Sequence, residues 1–383
     1  MKKLLIATRN QGKFKELAAI LSGVPYEIVS VSDLKLEGEP IENGATYEEN
    51  ALIKARFFSG SGEVTLADDS GLEVSALKGE LGLKTRRWGV GEGSSDEEWL
   101  GFFLKRMKGE KNRKAKFVCS AVLTGGGFSE MTFFAEVDGV ITERPMSPLL
   151  PGLPLSSCFI PEGMSMVYAG LTREEKGKVS HRGLAVGKVR RFLIMNKKIE
   201  EMEKESAKEN KYWICGKETG GFLMNMARKI GARNVLEFGT SVGYSALWLA
   251  ASGAKVFTVE SHKERGDIAE RNFKEVAVED GVTLVRGHAP EVLKSGVFDG
   301  VTFDMVFLDS TKYEYPSYFE AVKSRLNIGG VIVADNVVSH GGGNMIKKFL
   351  SDVKNDPAFE SRIENIGNGL LVAIRKVGGV GAT

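Results

Sequence analysis

Cysteine is scarce: Cys119, Cys158 and Cys215 are scattered over 383 residues. That spacing excludes a disulfide-stapled scaffold and a paired-thiolate zinc knuckle, and a reducing, intracellular compartment is the simpler reading. Long apolar runs are missing as well. The start "MKKLLIATRN" offers five apolar residues before it turns polar, too few for the core of a signal peptide, and nothing downstream reaches the length that crosses a bilayer. A cytoplasmic protein without a membrane partner is expected. Net charge is nearly absent too, with 52 Lys plus Arg against 50 Asp plus Glu. Composition therefore gives no argument for a nucleic-acid partner, which usually calls for a basic excess. No internal repeat at a fixed period is present.

What is present is enough apolar residue for more than one core. At 383 residues, 42% apolar and 27% charged, the chain exceeds what a single core covers, and two domains are expected. One boundary shows itself after "VRRFLIM", where "NKKIEEMEKESAKENK" runs sixteen residues without Gly or Pro. Its charges balance, and Glu200 precedes Lys204 by one helical turn, so a solvated helical connector is predicted. This divides the chain into residues 1–195, a connector at 196–211, and residues 212–383. The "GGVGAT" tail is expected to fray.

In the second part the runs "NVLEF", "KVFTVE", "VTLVRG", "DMVFLD" and "GGVIVAD" are short, β-branched and separated by helix-like stretches. They predict a parallel, doubly wound α/β sheet whose ligands sit at the carboxyl ends of the strands. Those ends are Glu237 to Gly239, Glu260, Gly287 to Ala289, Asp309, and Asp335 with Asn336. The turn after the first strand, Gly239 to Gly243, lacks the middle glycine of a dinucleotide fingerprint and the Gly-Lys-Ser/Thr of a P-loop. With Glu237 before it and Glu260 ending the next strand, it suits an adenosine whose tail is cationic and carries no phosphate. This turn resembles the S-adenosylmethionine loop of Rossmann-like methyltransferases.

The segments "FLDSTKYEYPSY" and "VIVADNVV" resemble the two metal motifs of the cation-dependent O-methyltransferases. That family includes catechol and caffeoyl-coenzyme A methyltransferases and bacterial relatives acting on tRNA hydroxyuridine. The resemblance covers residues 212–376 and implies that Asp309, Asp335 and Asn336 hold Mg²⁺ or a similar ion, with Lys312 as the catalytic base. It also implies that Glu237, Gly239, Thr240 and Ser245 surround the methionine end of S-adenosylmethionine, with Asp309 nearby. Glu260 would take the ribose hydroxyls, and His288 with Ala289 would lie beside the adenine. Many relatives have Asp where this chain has His288. His262 and His340 are read as solvated loop histidines. The acceptor is expected to be a small hydroxylated, catechol-like molecule, shaped by "TKYEYPSY" and "KYWICGKETGG".

The first part opens with a strand, a polar loop and an amphipathic helix, "KKLLIATRNQGKFKELAAIL". Lys13 and Lys15 at that helix start oppose the helix dipole unless an anion is received there. Further on, "PIENGATYEENALIKAR" gathers Glu42, Glu48, Glu49, Lys54 and Arg56, and "TLADDSGLEV" sets Asp68 and Asp69 at a strand end before a tight Ser-Gly turn. Paired carboxylates need a cation or a proton to offset them, and with basic residues opposite they suggest a metal-bound triphosphate. The motifs "ATRNQGK", "ENGATYEENALIKAR", "ADDSGLEV" and "LTREEKGKVSHRG", in that order, resemble the inosine/xanthosine triphosphate pyrophosphatases. These remove non-standard purine nucleotides by cutting between the α- and β-phosphates, and the resemblance covers residues 1–194. It implies a mixed α/β fold, phosphate contacts from Thr8, Asn10 and Lys13, and Mg²⁺ on Glu42 and Asp69, with Asp69 activating water. Lys54, Ser70, Lys176, His181 and Arg182 complete the implied site.

This part departs from that family where the base is read. The stretch "PGLPLSS" puts Pro154 and Leu155 where an aromatic and an acid are expected, and "ELGLKTRRW" loses a proline. The favoured reading is a bifunctional, homodimeric enzyme: a mixed α/β pyrophosphatase-like domain followed by a Rossmann-like methyltransferase domain. The alternatives are a methyltransferase with a weakened scaffold or dimerisation domain in front, and a tRNA-modifying methyltransferase.

Overall fold

The computed structural model describes residues 1–60, 62–91, 93–209, 212–338 and 343–377. The "GGVGAT" tail and His340 lie outside them. Two compact units are present, Met1–Ile194 and Met195–Thr383. No helix among the described residues is long and apolar enough to cross a membrane.

The first unit contains strands β1 (Lys3–Ile6), β2 (Glu27–Ser30), β3 (Val64–Val74), β4 (Lys114–Gly125), β5 (Phe128–Ile141) and β6 (Phe159–Pro161). Its helices are α1 (Gln11–Ile20), α2 (Tyr47–Ser59), α3 (Asp96–Arg106) and α4 (Arg173–Val179), followed by the start of α5 (His181–Glu209). The strands form one mixed sheet in the order β2-β1-β3-β4-β5-β6, with β1 parallel to β2 and β3 and the remainder antiparallel. The long β4–β5 hairpin turns on Gly126 and Gly127, both at positive φ, as two-residue hairpin turns require. Side-chain caps set the helix starts: Asn10 accepts from Lys13 N, Thr46 from Glu49 N, and Ser95 forms a capping box with Glu98.

No Ser-Gly turn follows Asp69. Strand β3 runs straight on to Val74, and Gly71 serves close approach instead, since a Cβ there would lie 2.3 Å from the Gly82 carbonyl oxygen. Strand β1 pairs with β3 only as far as Leu66. Beyond Leu66 that edge of β3 has no strand partner, and Asp68, Asp69 and Ser70 lie along the opening, which closes where the Leu72 amide donates to Thr85 Oγ1.

The second unit contains β7 (Asn234–Phe238), β8 (Lys255–Glu260), β9 (Val282–Arg286), β10 (Phe303–Leu308), β11 (Leu326–Ala334), β12 (Phe359–Glu364) and β13 (Leu370–Arg375). Helix α6 (Gly216–Lys229) precedes them, and between them run α7 (Tyr244–Ala250), α8 (Lys263–Glu275), α9 (Ala289–Lys294), α10 (Tyr315–Val322) and α11 (Gly343–Asn355). The sheet order is β12-β13-β11-β10-β7-β8-β9. β11, β10, β7, β8 and β9 are parallel, while β12 and β13 run antiparallel at one edge. The five apolar runs of the sequence thus become the five parallel strands. Strand order reverses between β7 and β10, the switch point where ligands of such sheets bind. The backbones nearly touch there: Gly239, at φ 102°, leaves 2.1 Å between a would-be Cβ and the Asp309 carbonyl oxygen.

Residues 196–209 are not a free solvated connector. They continue α5, and Asn196, Ile199 and Met202 form a buried stripe along it. Lys198 pairs with Glu275 at 2.7 Å, and Glu203 accepts from the Tyr244 hydroxyl at 2.7 Å.

Helix α6 packs by a small residue: a Cβ on Gly220 would lie 2.3 Å from the Trp248 indole. Gly220→Ala should cost the second unit about 1–3 kcal/mol by overpacking. Urea unfolding followed by tryptophan fluorescence checks this, and an unchanged midpoint would show that the indole moves aside freely.

Candidate active sites

In the first unit a cavity of about 560 Å³ opens where β3 loses its partner, a volume typical of small-ligand sites. Thr8, Asn10, Lys13, Glu42, Lys54, Asp69, Ser70, Lys176, His181 and Arg182 all line it. A larger cavity of about 840 Å³ at the far end of β3 collects no buried charge cluster; the buried charges gather in the smaller one.

The pleat of β3 turns successive side chains to opposite faces. Asp68 meets α1 and α5: its Oδ2 accepts from Lys13 Nζ at 3.4 Å and Arg182 Nε at 3.2 Å. Asp69 meets α2, where Oδ1 accepts from Lys54 Nζ and Oδ2 from Asn50 Nδ2, both at 3.2 Å. Lys54 Nζ also lies 3.3 Å from Glu42 Oε2. Behind Asp68, Glu16 pairs with Lys176 at 2.7 Å and Arg182 at 3.3 Å, and Arg182 Nη2 donates to Ser70 Oγ at 2.6 Å.

Burial alone would raise Asp68, but Lys13, Arg182 and Lys54 outweigh it and hold the carboxyl far below its usual range. Burial likewise opposes the charge on Lys54, yet Asp69, Asp68 and Glu42 keep its pKa raised. His181 stacks on Phe117 at 4.4 Å and 6°. Neither ring nitrogen has a partner, and burial with Arg182 and Lys176 pushes its pKa well below the usual value, so the ring is neutral at pH 7.

One expected neighbourhood disperses. Glu48 accepts from Thr132, Glu49 from the Ala45 amide, and Arg56 pairs with Glu130, so of those five charged residues Glu42 and Lys54 alone meet at the cavity. The altered loop lines the cavity, and its Leu155 belongs with Trp99 and Phe159 to an apolar cluster that reaches the cavity wall. The loop is tied down by Asn10 Nδ2 donating to the Gly152 carbonyl at 3.3 Å and by the Gly152 amide donating to Asp96 at 2.6 Å.

In the second unit the polar strand ends converge. Glu237 is buried: Oε2 accepts from the Thr258 hydroxyl at 2.5 Å, Ser245 also bonds it, and Oε1 has no partner. Burial pushes its pKa up to about 7, against the Ser245 and Thr258 bonds. Thr240 and Thr258 share a hydroxyl bond of 2.5 Å. Glu260 accepts from the Ser241 and His262 amides, each at 2.7 Å, which shapes the turn after β7. The His262 side chain is exposed.

At the ends of β10 and β11, Lys312 Nζ donates to Asp309 Oδ1 at 3.0 Å and to the Tyr315 hydroxyl at 2.8 Å. That hydroxyl donates to the Leu308 carbonyl at 2.8 Å. Asp335 Oδ1 accepts from the Asn336 amide at 2.7 Å. Burial and the neighbouring Asp309 push Asp335 up to about 6. Asn336 takes a left-handed φ of 60°, and its Oδ1 accepts from Asn368 Nδ2 at 2.9 Å. Ala289 is buried at the start of α9.

Residues 4–192 match the model of the Ham1 family, and residues 192–376 match the O-methyltransferase model. A dITP/XTP pyrophosphatase of Exiguobacterium is 38% identical over 193 residues, covering 50% of this chain and 97% of that protein. The chain belongs to the Ham1 family. Its second unit is an O-methyltransferase domain, and the chain is a fusion of the two. Among solved structures, the Staphylococcus aureus Ham1 protein is 32% identical, covering 50% of this chain and 98% of that one, with a TM-score of 0.44. An O-methyltransferase from Bacillus cereus, solved with SAH, is 29% identical, covering 47% of this chain and 91% of that one, with a TM-score of 0.43.

Several participants escaped the sequence reading. In the Ham1 domain, Asn50 stands one helical turn before Lys54 and Glu16 three residues after Lys13, so helical spacing carried a usable signal. In the methyltransferase domain, Thr258 lies two residues before Glu260 on the same strand face, and Tyr315 three after Lys312. Asn368 comes from 32 residues beyond Asn336 and has no local signal.

Glu237 and Asp335 are acids whose folded pKa lies above the unfolded one. The folded state therefore holds protons that the unfolded chain releases from about pH 4 upward, and the resulting stability is lost as pH rises through about 6 and 7. Asp335→Asn keeps the side-chain oxygen for the Asn336 amide and removes the charge. It should raise the melting temperature of the second unit above pH 7 and leave it unchanged near pH 4. Parallel curves for variant and parent across that range would contradict the assignment.

Proposed function

We propose that the chain is bifunctional. Its Ham1 domain hydrolyses non-standard purine nucleoside triphosphates to monophosphate and pyrophosphate, and its second domain moves the methyl group of S-adenosylmethionine to a hydroxyl of a small, catechol-like acceptor. The observation that carries the first half is the single cavity that gathers Lys13, Lys54, Lys176 and Arg182 around Asp68, Asp69 and Glu42.

In the Ham1 domain the triphosphate would be received by the Thr8-to-Lys13 turn with Lys54, Ser70, Lys176 and Arg182, their positive charge offsetting what develops on the departing pyrophosphate. Asp69 takes a proton from water as its oxygen bonds the α-phosphorus and the bond to the bridging oxygen breaks. Neutral His181, with both nitrogens open, can donate and accept once each. The residues fit a divalent cation: Glu42 and Asp69 already converge on one ammonium, Lys54, at 3.3 and 3.2 Å. Hard oxygen donors of this kind suit Mg²⁺.

In the methyltransferase domain Glu237, with its unpartnered oxygen, supplies negative charge toward the cationic donor, together with Gly239, Thr240 and Ser245. Glu260 and Ala289 would take the ribose and adenine ends. Lys312 Nζ, steered by Asp309 and Tyr315, takes the acceptor's hydroxyl proton. The oxygen then bonds the methyl carbon as the carbon–sulfur bond breaks, leaving the methyl ether and S-adenosylhomocysteine. Asp309, Asp335 and Asn336 fit a divalent cation, because Asp309 and Asp335 end neighbouring strands and the Asp309 charge raises the cost of ionising Asp335. Among the described residues no group of three or more His, Cys, Asp or Glu could hold a metal, so the amide oxygen of Asn336 is needed to complete that set. A bound divalent ion would acidify the acceptor hydroxyl here and neutralise phosphate charge in the Ham1 domain.

Two assays test this. Pyrophosphate release from dITP and XTP with Mg²⁺ should fall about 10²- to 10⁴-fold in Asp69→Asn, the range for loss of a positioned base. No release by the parent chain from any purine triphosphate would leave the first domain a scaffold. Methyl transfer to a catechol panel should stop with a chelator and fall about 10²-fold or more in Lys312→Ala. Transfer that ignores the chelator would rule out the metal set.

A further inference from the structure

We propose that His288 is a positioning residue that ties the adenosine side of the methyl-donor pocket to the turn carrying Lys312, a role that rests on the methyltransferase reading above. The sheet order creates the need. Strands β9 and β10 follow one another in the chain, but β8 and β7 lie between them in the sheet. No ladder hydrogen bonds therefore join the loop after β9 to the turn after β10.

His288 spans that gap. It stands at the N-cap position of α9, and its Nδ1 lies 2.5 Å from Glu291 Oε2 in the first turn of the same helix. On the other side its Nε2 lies 2.8 Å from Glu314 Oε1. Glu314 ends the short 3-10 turn that begins at Lys312, and its second oxygen accepts from the Tyr318 hydroxyl. The Tyr318 ring packs on Phe238, at the end of β7, at 4.9 Å. The imidazole is thus one link in a chain from the start of α9 through Glu314 and Tyr318 to the strand at the switch point.

With a carboxylate facing each ring nitrogen, no nitrogen is left to read an adenine edge. The ring's contribution is to hold the backbone at Ala289, directly after it. Lys312 is anchored separately, by Asp309 and Tyr315. Breaking the bridge therefore moves the donor wall and leaves the lysine where it is. Its side chain is 47% exposed, so the expected effect is modest, about two- to fivefold in affinity.

The test is calorimetric titration of S-adenosylmethionine into the full chain, its His288→Ala and Glu314→Gln variants, the double variant, and His288→Gln, which keeps a donor for Glu314. Each of the first two should weaken binding about two- to fivefold at an unchanged melting temperature. The double variant should bind no more weakly than the weaker single one, and His288→Gln should recover most of the loss. Additive losses, losses accompanied by a lower melting temperature, or single variants that bind like the parent overturn the bridge and leave the donor site standing. A parent chain that does not bind S-adenosylmethionine overturns both.

Discussion

A carboxylate taken out of water needs a cation, a hydrogen-bond donor or a proton, and both domains are organised around meeting that need, in mid-strand on β3 in the first and at strand ends in the second. The Ham1 domain meets it with cations. Asp68 and Asp69 are shared among Lys13, Arg182 and Lys54, and Glu16 holds Lys176 and Arg182 from behind. The methyltransferase domain meets it incompletely. Glu237 keeps one oxygen without a partner, and Asp335 stays partly protonated beside Asp309. On the proposed functions these are complementary states: a polyphosphate replaces the carboxylates as partner of the bound cations, whereas a sulfonium and a metal ion supply the charge that the second site lacks.

The precision of both sites comes from backbones in contact. A Cβ at Gly239 would strike the Asp309 carbonyl, one at Gly71 the Gly82 carbonyl, and one at Gly12 the Pro151 carbonyl, at 2.1, 2.3 and 2.3 Å. These approaches bring the turn after β7 against the end of β10, and the start of α1 against the loop beside the Ham1 cavity. Functional side chains on such segments are set by the fold itself, with little freedom to adjust.

How far the sequence could be read differed between the domains for a physical reason. The central parallel strands of the methyltransferase domain, β7 and β10, are buried almost throughout, and all five parallel strands are short apolar runs ending at a polar residue, visible without partners. In the Ham1 domain β3 carries "ADDSG" through its middle, and the composition of a turn concealed an unbroken strand. The pair Ser70-Gly71 is there because Arg182 and Gly82 come close, which nothing in the local segment announces. The stretch 196–211 looked solvated because Ile199 and Met202 are its only large apolar residues, and both are buried, as is Asn196.

By itself the sequence determined the two-domain order, the strand ends of the second sheet, and the residue types that surround each site. These depend on local alternation and on motif spacing, which short-range physics imposes. Only the tertiary structure decided which charges meet. It sent Glu48, Glu49 and Arg56 away from the cavity, set Asp68 and Asp69 on opposite faces of one strand, brought Asn368 to Asn336, and placed His288 between Glu291 and Glu314. Pairings across tens of residues follow from how strands and helices are stacked, and a linear pattern carries no record of that stacking.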